Sequence, residues 1–339
     1  MTPSQELSTH DHSTHDHSKH AKTMTHEDSI AANIAQFNEE FAQTYEQLDS
    51  QRTLSLLFTK YILEYDFANP TKRKSAEETK IPIGDPNLET NGLTVQNTLP
   101  DPTTYLSNFP NTVFKPGMKL LDFACGPGLV TQLFAPYLIG QTPSEIVGMD
   151  ISPVFLQHFD QRVEKLKNDK LDFNSYQYDI ISQDPQIQQQ LKQFENKFDA
   201  IICTISYHHI DNYQMVTKKL ATFLKPGGWL FIVDFYNEDV EDPNANPNNP
   251  SVAHMGGLKI DALNHTLGDI AGLINVSSAC EFRTPLWQIE DFIRNHLNEK
   301  TVKKMEKGEL PEKSILGRKT GYLVECSIIY AVGQKKPLV

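Results

Sequence analysis

Between Lys119 and Phe235 the sequence alternates short apolar runs with segments whose apolar residues have helical spacing. Helical patterns such as Pro153 to Asn168 and Asp211 to Leu224 fit between the runs. Such alternation is typical of parallel strands joined by helical crossovers. It predicts an α/β fold with a doubly wound, mostly parallel sheet and helices on both faces. The apolar runs are Lys119 to Ala124, Glu145 to Met149, Asp172 to Tyr178, Phe198 to Ile205 and Trp229 to Phe235.

The C-terminal part continues this pattern. Strands near Ile274 to Phe282 and at Tyr322 to Gly333 bring the expected sheet to seven strands. A helix near Leu258 to Ala271 precedes them, and a helical insert over about 285–315 separates them. The segment Asn237 to Pro250 is rich in Asn, Pro and acidic residues, which predicts a loop.

The N-terminal segment has a different composition. Six of the twelve histidines lie within residues 1–29, interleaved with Ser, Thr, Asp and Lys. Such a segment cannot form a packed core, which predicts a disordered tail. Metal binding by the clustered imidazoles is the alternative. We find no other convincing set of metal ligands in the sequence and expect no metal in the functional site.

Apolar residues at helical spacing follow this tail. A first set steps by four, three, four, four and three positions, which places it on one face of a helix. A second run extends from Leu54 to Tyr65, and residues 69–116 are rich in Pro and polar residues, which indicates a long connection. The first set consists of Ile30, Ile34, Phe37, Phe41, Tyr45 and Leu48.

Charge and composition exclude several classes of function. The formal net charge is −12, whereas a protein that grips phosphate backbones is normally basic, so we expect no nucleic-acid partner. The four cysteines show no paired spacing, and no run of about 18 apolar residues occurs. We therefore expect a cytoplasmic protein without a membrane span, and the sequence leaves its oligomeric state open.

One motif carries chemistry. Lys119 to Gly128 reads KLLDFACGPG, an apolar strand that runs into a turn containing Gly126. Glycines at the carboxyl edge of such a sheet let the backbone approach a ligand closely. The next strand ends at Asp150, whose carboxylate can accept hydrogen bonds from ribose hydroxyls. Thr131 replaces the third glycine of a dinucleotide fingerprint, and the loop lacks the lysine of a P-loop, which disfavours both of those ligand classes.

These residues resemble motif I of the class I S-adenosylmethionine-dependent methyltransferases, of the small-molecule type with a fungal-like methyltransferase domain. The family motif is usually (V/L)LDxGxGxG, and the sequence here reads LLDFACGPG, with Ala124 in place of the first glycine. The resemblance implies a Rossmann-like sheet and S-adenosylmethionine as the cofactor. Four further segments match in order over about residues 117–235: VGMD with the following Ile151, YDI, FDAIICTISYHHI and LKPGGWLFIVDF.

The resemblance also implies roles for individual residues. Asp150 is expected to bind the ribose hydroxyls, Ile151 to contact the adenine and Asp179 to meet the adenine amino group. Asp122 is expected near the methionine moiety, with a role as a turn former as the alternative. The other expected cofactor-binding residues are Ala124, Gly126, Gly128, Ile180, Thr204 and Tyr45.

The resemblance further implies three parts in the chain. Residues 1–29 form the His-rich tail, and residues 30–116 form N-terminal helices and a long loop that close over the cofactor as a lid. Residues 117–335 form the methyltransferase domain, which contains the helical insert.

Two histidines are candidate catalytic residues. His208 and His209 follow the fourth strand at its carboxyl end, where we expect at least one side chain to face the acceptor. An imidazole can deprotonate a hydroxyl or orient a carboxylate. The alternative is that the pair packs against neighbouring loops.

The expected reaction is in-line transfer of a methyl group to a small molecule, at an oxygen, a carboxylate or a carbon. The segment TISYHH differs from the (N/D)PP(Y/F) turn of enzymes that methylate amino groups of DNA bases or protein glutamine, which disfavours those acceptors. Two alternatives remain open. One is a methyltransferase for protein carboxylates or side chains, and the other is a non-catalytic protein that binds the cofactor or a metal.

Overall fold

The computed structural model describes residues 25–71, 99–236, 251–254, 257–317 and 319–338. Most of the predicted His-rich tail and the predicted loop Asn237 to Pro250 lie outside the described residues.

The described strands form one mixed sheet. Its order is β3-β2-β1-β4-β5-β8-β6, and β7 pairs with β8 beside this path. Strands β1 to β5 are parallel to one another, whereas β8 runs antiparallel to β5, β6 and β7. This arrangement confirms the predicted doubly wound, mostly parallel sheet, but the described sheet has eight strands where seven were expected. The strands are β1 (Lys119–Phe123), β2 (Ser144–Asp150), β3 (Leu171–Gln177), β4 (Phe198–Thr204), β5 (Leu224–Tyr236), β6 (Ile274–Ile289), β7 (Glu312–Ile315) and β8 (Lys319–Gln334).

Eleven α-helices occur in the described ranges, and most of them cover the two faces of the sheet. None of them combines the length and the apolar character needed to cross a bilayer. They are α1 (His26–Gln36), α2 (Glu39–Gln47), α3 (Asp49–Leu63), α4 (Tyr105–Asn108), α5 (Thr131–Leu138), α6 (Pro153–Val163), α7 (Pro185–Leu191), α8 (Tyr213–Phe223), α9 (Ile260–His265), α10 (Glu290–His296) and α11 (Glu299–Glu306).

Apolar residues on both faces of the central strands hold this architecture together. Leu120 and Ile202 belong to one hydrophobic cluster, which also contains residues of α3, α5 and α6. Leu121 and Ile201 belong to a second cluster with residues of α7, α8 and α9. Because successive side chains of a strand point to opposite faces, strands buried on both sides need continuous apolar runs. Those runs made the strands predictable.

The N-terminal helices differ from the prediction of one continuous helix from Ile30 to Leu48. The helix is interrupted after α1. A new helix, α2, begins at Glu39, where the Asn38 side chain caps it by accepting a hydrogen bond from the Phe41 amide (3.0 Å). Helix α1 begins at His26, inside the segment expected to be a disordered tail, because Thr25 and Asp28 form a capping box. The boundary at residue 29 is therefore wrong.

The C-terminal part also differs from the prediction. Strand β6 continues to Ile289, into the helical insert expected over about 285–315, and β7 lies inside that expected insert. The pairing of β6 with β8 runs on to Ile289 and Gly321, whereas β5 ends opposite Ser327. The two long strands therefore extend past the carboxyl end of β5, and α10 follows directly.

Candidate active site

A cavity of about 410 Å³ lies at the carboxyl ends of β1, β2 and β4. Residues of the glycine loop after β1, the ends of β2 and β4, helices α1–α3 and helix α10 line it. Of the residues predicted from sequence, ten line this cavity. They are Tyr45, Ala124, Gly126, Asp150, Ile151, Asp179, Ile180, Thr204, His208 and His209.

The glycine loop adopts the left-handed backbone conformation at three positions: Ala124 (φ 54°), Gly126 (φ 51°) and Gly128 (φ 80°). A β-carbon on Gly126 would meet nothing nearer than the Phe155 ring at 3.7 Å and would stand at the cavity wall. A β-carbon on Gly128 would lie 2.9 Å from the Phe159 ring. Gly126 thus keeps the cavity open, whereas Gly128 allows α6 to pack and does not line the cavity.

Asp150 ends β2 and anchors the loop. Its Oδ2 accepts a hydrogen bond from the Gly126 amide (2.9 Å), and its Oδ1 accepts one from the Ser152 amide (2.8 Å). Burial raises the pKa of this carboxyl group to about 6, so it is ionised at neutral pH. Each carboxylate oxygen keeps acceptor capacity at the cavity wall, which suits ribose hydroxyls.

Asp122 does not itself line the cavity. Its Oδ2 accepts a hydrogen bond from the Thr131 hydroxyl at the start of α5. Its side chain is buried, and burial raises its pKa to about 7. Asp122 therefore connects β1 to α5 underneath the loop.

Asp179 lies at the cavity wall, where it is paired with a residue of α1. The His26 ring lies between two carboxylates, with its Nε2 3.1 Å from Asp179 Oδ2 and its Nδ1 2.8 Å from Asp211 Oδ1. Hydrogen bonds to Asp179 and Asp211 raise the pKa of His26 to about 10, so the ring is protonated at neutral pH. His26 thus neutralises the carboxylate that was expected to meet the adenine.

Helix α2 and Phe37, which precedes it, pack on α6 through aromatic and ionic contacts. The Phe37 ring stacks on Phe155 at 5.1 Å, and the Tyr45 and Phe155 ring centroids are 6.3 Å apart. Glu46 of α2 pairs with Arg162 of α6 at 2.8 Å. These contacts place Tyr45 at the cavity wall.

The turn after β4 brings histidines to the inner end of the cavity. His208 and His209 lie in a short 3-10 helix (Tyr207–His209), and their ring centroids are 4.0 Å apart. His296, at the end of α10, approaches the same place, with its ring centroid 5.0 Å from His208 and 6.0 Å from His209. We refer to His208, His209 and His296 as the histidine cluster.

Asp234 orients the first of these rings. Its Oδ1 lies 2.7 Å from His208 Nδ1, and its Oδ2 accepts a hydrogen bond from the His208 amide (3.1 Å). Burial lowers the pKa values of His208 and His209 to about 3, so both rings are neutral at neutral pH. A ring with so low a pKa is a weak proton acceptor by itself.

Backbone strain occurs at the same end of β4. Ile205 has φ 50°, a left-handed conformation that a β-branched residue rarely adopts. It lies between Thr204 and Ser206 at the cavity wall. Such strain persists where the surrounding structure imposes it, which is common at functional sites.

A profile of the methyltransferase domain family matches residues 94–277, more than half of the chain. The chain therefore belongs to the methyltransferase family. It is an S-adenosylmethionine-dependent methyltransferase, which confirms the predicted enzyme class and cofactor.

Curated relatives agree with this assignment. An uncharacterized methyltransferase of Schizosaccharomyces pombe is 31% identical over 235 residues, which are 68% of this chain and 75% of that protein. The mitochondrial ubiquinone biosynthesis O-methyltransferase of Rattus norvegicus is 32% identical over 124 residues, or 34% of this chain and 30% of that protein. A solved phosphoethanolamine N-methyltransferase 2 of Haemonchus contortus, in complex with S-adenosyl-L-methionine, aligns with 69% of this chain and 52% of its own. Its sequence identity is 13% and its TM-score is 0.39.

Three residues of the site were missed by sequence reasoning. Asp234 ends the apolar run of β5, next to β4, so its place at the carboxyl edge was a usable signal. His296 lies in a segment without a motif, and only the fold brings it to β4. His26 was assigned to the tail because it follows five other histidines.

Proposed function

We propose that this enzyme methylates an oxygen of a small, partly apolar molecule that lies against the histidine cluster. One observation carries this proposal: a single cavity joins the glycine loop and Asp150 to the histidine cluster. Its volume of about 410 Å³ is in the range of small-ligand sites, about 300–1,000 Å³.

The residues at one end of the cavity fit the cofactor. Gly126 leaves the wall open, the Asp150 carboxylate presents acceptors for ribose hydroxyls, and Ile151 and Ile180 offer apolar surface to an adenine ring. S-adenosylmethionine supplies a sulfonium methyl group when bound. Asp179 can accept a hydrogen bond from the adenine amino group either while it also pairs with His26 or after that pair separates.

The residues at the other end fit a small acceptor. Phe235, Val252 and Phe292 give the cavity apolar surface, and the Phe235 and Phe292 rings pack against His208 (5.6 Å) and His296 (4.5 Å). Neutral imidazoles present lone pairs, which a hydroxyl group satisfies by donating its hydrogen. We therefore assign the cluster the task of holding the acceptor hydroxyl in line with the sulfonium methyl group, where position supplies most of the catalysis.

The name of the rat relative and its homologues specifies oxygen methylation, which supports oxygen as the acceptor atom. The match to the rat protein covers about a third of either chain. The acceptor proposal therefore depends chiefly on the cavity.

The test is to incubate the full chain with methyl-labelled S-adenosylmethionine and cell extract, and then to separate small molecules from protein. The proposal predicts label in the small-molecule fraction, in a product stable to mild alkali, as expected for a methyl ether. Label in protein would support the alternative of protein methylation and contradict the proposal. An alkali-labile small product would indicate a carboxylate acceptor and contradict the hydroxyl.

A further inference from the structure

The three rings of the histidine cluster come from two separate parts of the chain and converge on one point. One ring nitrogen of each residue lies within 4.8 Å of the corresponding nitrogens of the other two. Two of the rings follow β4, and the third ends α10. This convergence depends on the fold, because about 87 residues separate His209 from His296.

The outer nitrogen of each ring is already occupied. His209 Nδ1 lies 2.6 Å from the Ser251 carbonyl oxygen, and His296 Nδ1 lies 3.1 Å from the Phe292 carbonyl oxygen. A carbonyl oxygen can only accept, so both Nδ1 atoms must carry the hydrogen. His208 Nδ1 donates in the same way to Asp234 Oδ1 at 2.7 Å. The Nε2 atoms of all three neutral rings therefore carry lone pairs.

Ring nitrogens that carry lone pairs are hydrogen-bond acceptors and cannot form hydrogen bonds with one another. His208 Nε2 is buried and has no hydrogen-bond partner in the described part of the chain, and only 1% of the residue surface is exposed. The space between the rings therefore suits a cation or a hydrogen-bond donor. Histidines that donate through Nδ1 to a carboxylate or carbonyl and converge through Nε2 are the arrangement found around protein-bound zinc.

We propose that His208, His209 and His296 bind a zinc ion through their Nε2 atoms. Three imidazoles with a fourth position open to a cavity are a ligand set typical of catalytic zinc. Zinc–nitrogen bonds of about 2.0–2.1 Å place the three ligand atoms about 3.4 Å apart. The rings must therefore move together slightly when the ion binds.

The role of the ion rests on the proposed function, whereas its binding does not. When bound, the ion would hold the acceptor hydroxyl in place of the free ring nitrogens and would lower the pKa of that hydroxyl, so that its proton passes to water more easily. That oxygen then forms a bond to the methyl carbon while the carbon–sulfur bond breaks and its electron pair returns to sulfur. The products are the methyl ether, the neutral thioether S-adenosylhomocysteine and one proton.

The experiment must separate this site from the histidines of the tail. We would use the full chain with five tail histidines replaced by glutamine as the reference protein. Into it we would introduce His209→Gln, His296→Gln or, as a matched control, His265→Gln, which is exposed and pairs with Asp269. The tail residues replaced are His10, His12, His15, His17 and His20.

Zinc affinity would be measured by competition with a chromophoric chelator, and coordination by the visible spectrum of bound cobalt(II). The proposal predicts one zinc per chain and a cobalt(II) spectrum of tetrahedral type in the reference protein. His209→Gln and His296→Gln should each weaken zinc binding 100-fold or more, and His265→Gln should not. Asp234→Asn should weaken it by about 10–100-fold, as expected for loss of a partner that orients a ligand. Binding of S-adenosylhomocysteine by calorimetry would show that each variant is folded.

Loss of zinc binding on replacing the tail histidines alone would overturn the proposal, as would equal loss in His265→Gln and His209→Gln. The two proposals can fail separately. Zinc bound at the cluster without methylation of a small molecule would contradict the proposed function and leave the zinc site intact. Methylation of a small molecule that resists chelators in a protein without zinc would contradict the zinc site alone.

Discussion

The ring of His26, the first residue of α1, lies 3.1 Å from the carboxylate of Asp179 at the edge of the cofactor cavity. Asp211 binds the other ring nitrogen at 2.8 Å. A single protonated histidine thus ties the lid to the loops that follow β3 and β4.

The stability that His26 contributes should depend on pH. Its pKa is about 10 in the folded protein and 6.5 ordinarily. The contribution is therefore fully present below about pH 6.5 and is lost as the pH rises toward 10. His26→Gln should lower the melting temperature at pH 6 by about 2 °C, for a contribution of about 1 kcal/mol after solvent screening. Melting curves from pH 6 to 10 should show this difference shrinking. His265→Gln is the control, and a difference that grows with pH would contradict the assignment.

Two truncations should separate the tail from the lid. Removing residues 1–24 keeps the capping residue Thr25 and His26, whereas removing residues 1–26 deletes both. We expect the shorter truncation to leave the melting temperature and cofactor affinity unchanged. Removing residues 1–26 should lower the melting temperature and the cofactor affinity, because α1 loses its cap and its ion pairs. Equal behaviour of the two proteins in calorimetry would show that His26 does not hold the lid.

Asp150→Ala should weaken binding of S-adenosylhomocysteine about tenfold or more. The expected cause is the loss of hydrogen bonds from ribose hydroxyls to a charged acceptor, about 1.5–3 kcal/mol, together with release of the Gly126 amide. Asp172→Ala, on the exposed side of neighbouring β3, is the matched control. Titration calorimetry would measure the affinity of both folded variants for S-adenosylhomocysteine. Equal affinities would contradict the assignment of Asp150 to the cofactor site.

The two glycines of the loop should behave differently. Gly128→Ala places a β-carbon 2.9 Å from the Phe159 ring and should chiefly lower the melting temperature. Gly126→Val projects a branched side chain toward the cavity and should chiefly lower cofactor affinity. Both positions have positive φ, so some loss of stability is common to both. Melting curves and calorimetry on both variants check this, and a cofactor-affinity loss confined to Gly128→Ala would contradict the positions described for the two residues.

The sheet could be predicted because its strands are buried on both faces and therefore read as apolar runs. The glycine loop and Asp150 could be predicted because they directly follow such runs. The prediction of one continuous helix from Ile30 to Leu48 was wrong because Phe37 and Phe41 keep helical spacing across the interruption at Asn38. The spacing of apolar residues does not reveal where one helix ends and the next begins. Asn38 did indicate a helix start, because Asn is a favoured N-cap residue.

Two of the three residues of the histidine cluster could be predicted from the sequence. His208 and His209 follow a strand end, whereas His296 enters through the extension of β6 and the packing of α10. Its position depends on where a 16-residue strand ends, and element boundaries are the weakest part of a sequence-based prediction. The distinction between Gly126 and Gly128 likewise required the position of Phe159.

The most direct test of the account is a single-turnover measurement with labelled S-adenosylmethionine prebound to the enzyme and a small-molecule fraction containing the acceptor. We expect His208→Ala to slow transfer about 100-fold or more while its affinity for S-adenosylhomocysteine stays near that of the unmodified chain. Asp150→Ala should instead lose affinity. Transfer by His208→Ala at the unmodified rate would contradict the claim that the acceptor lies against the histidine cluster.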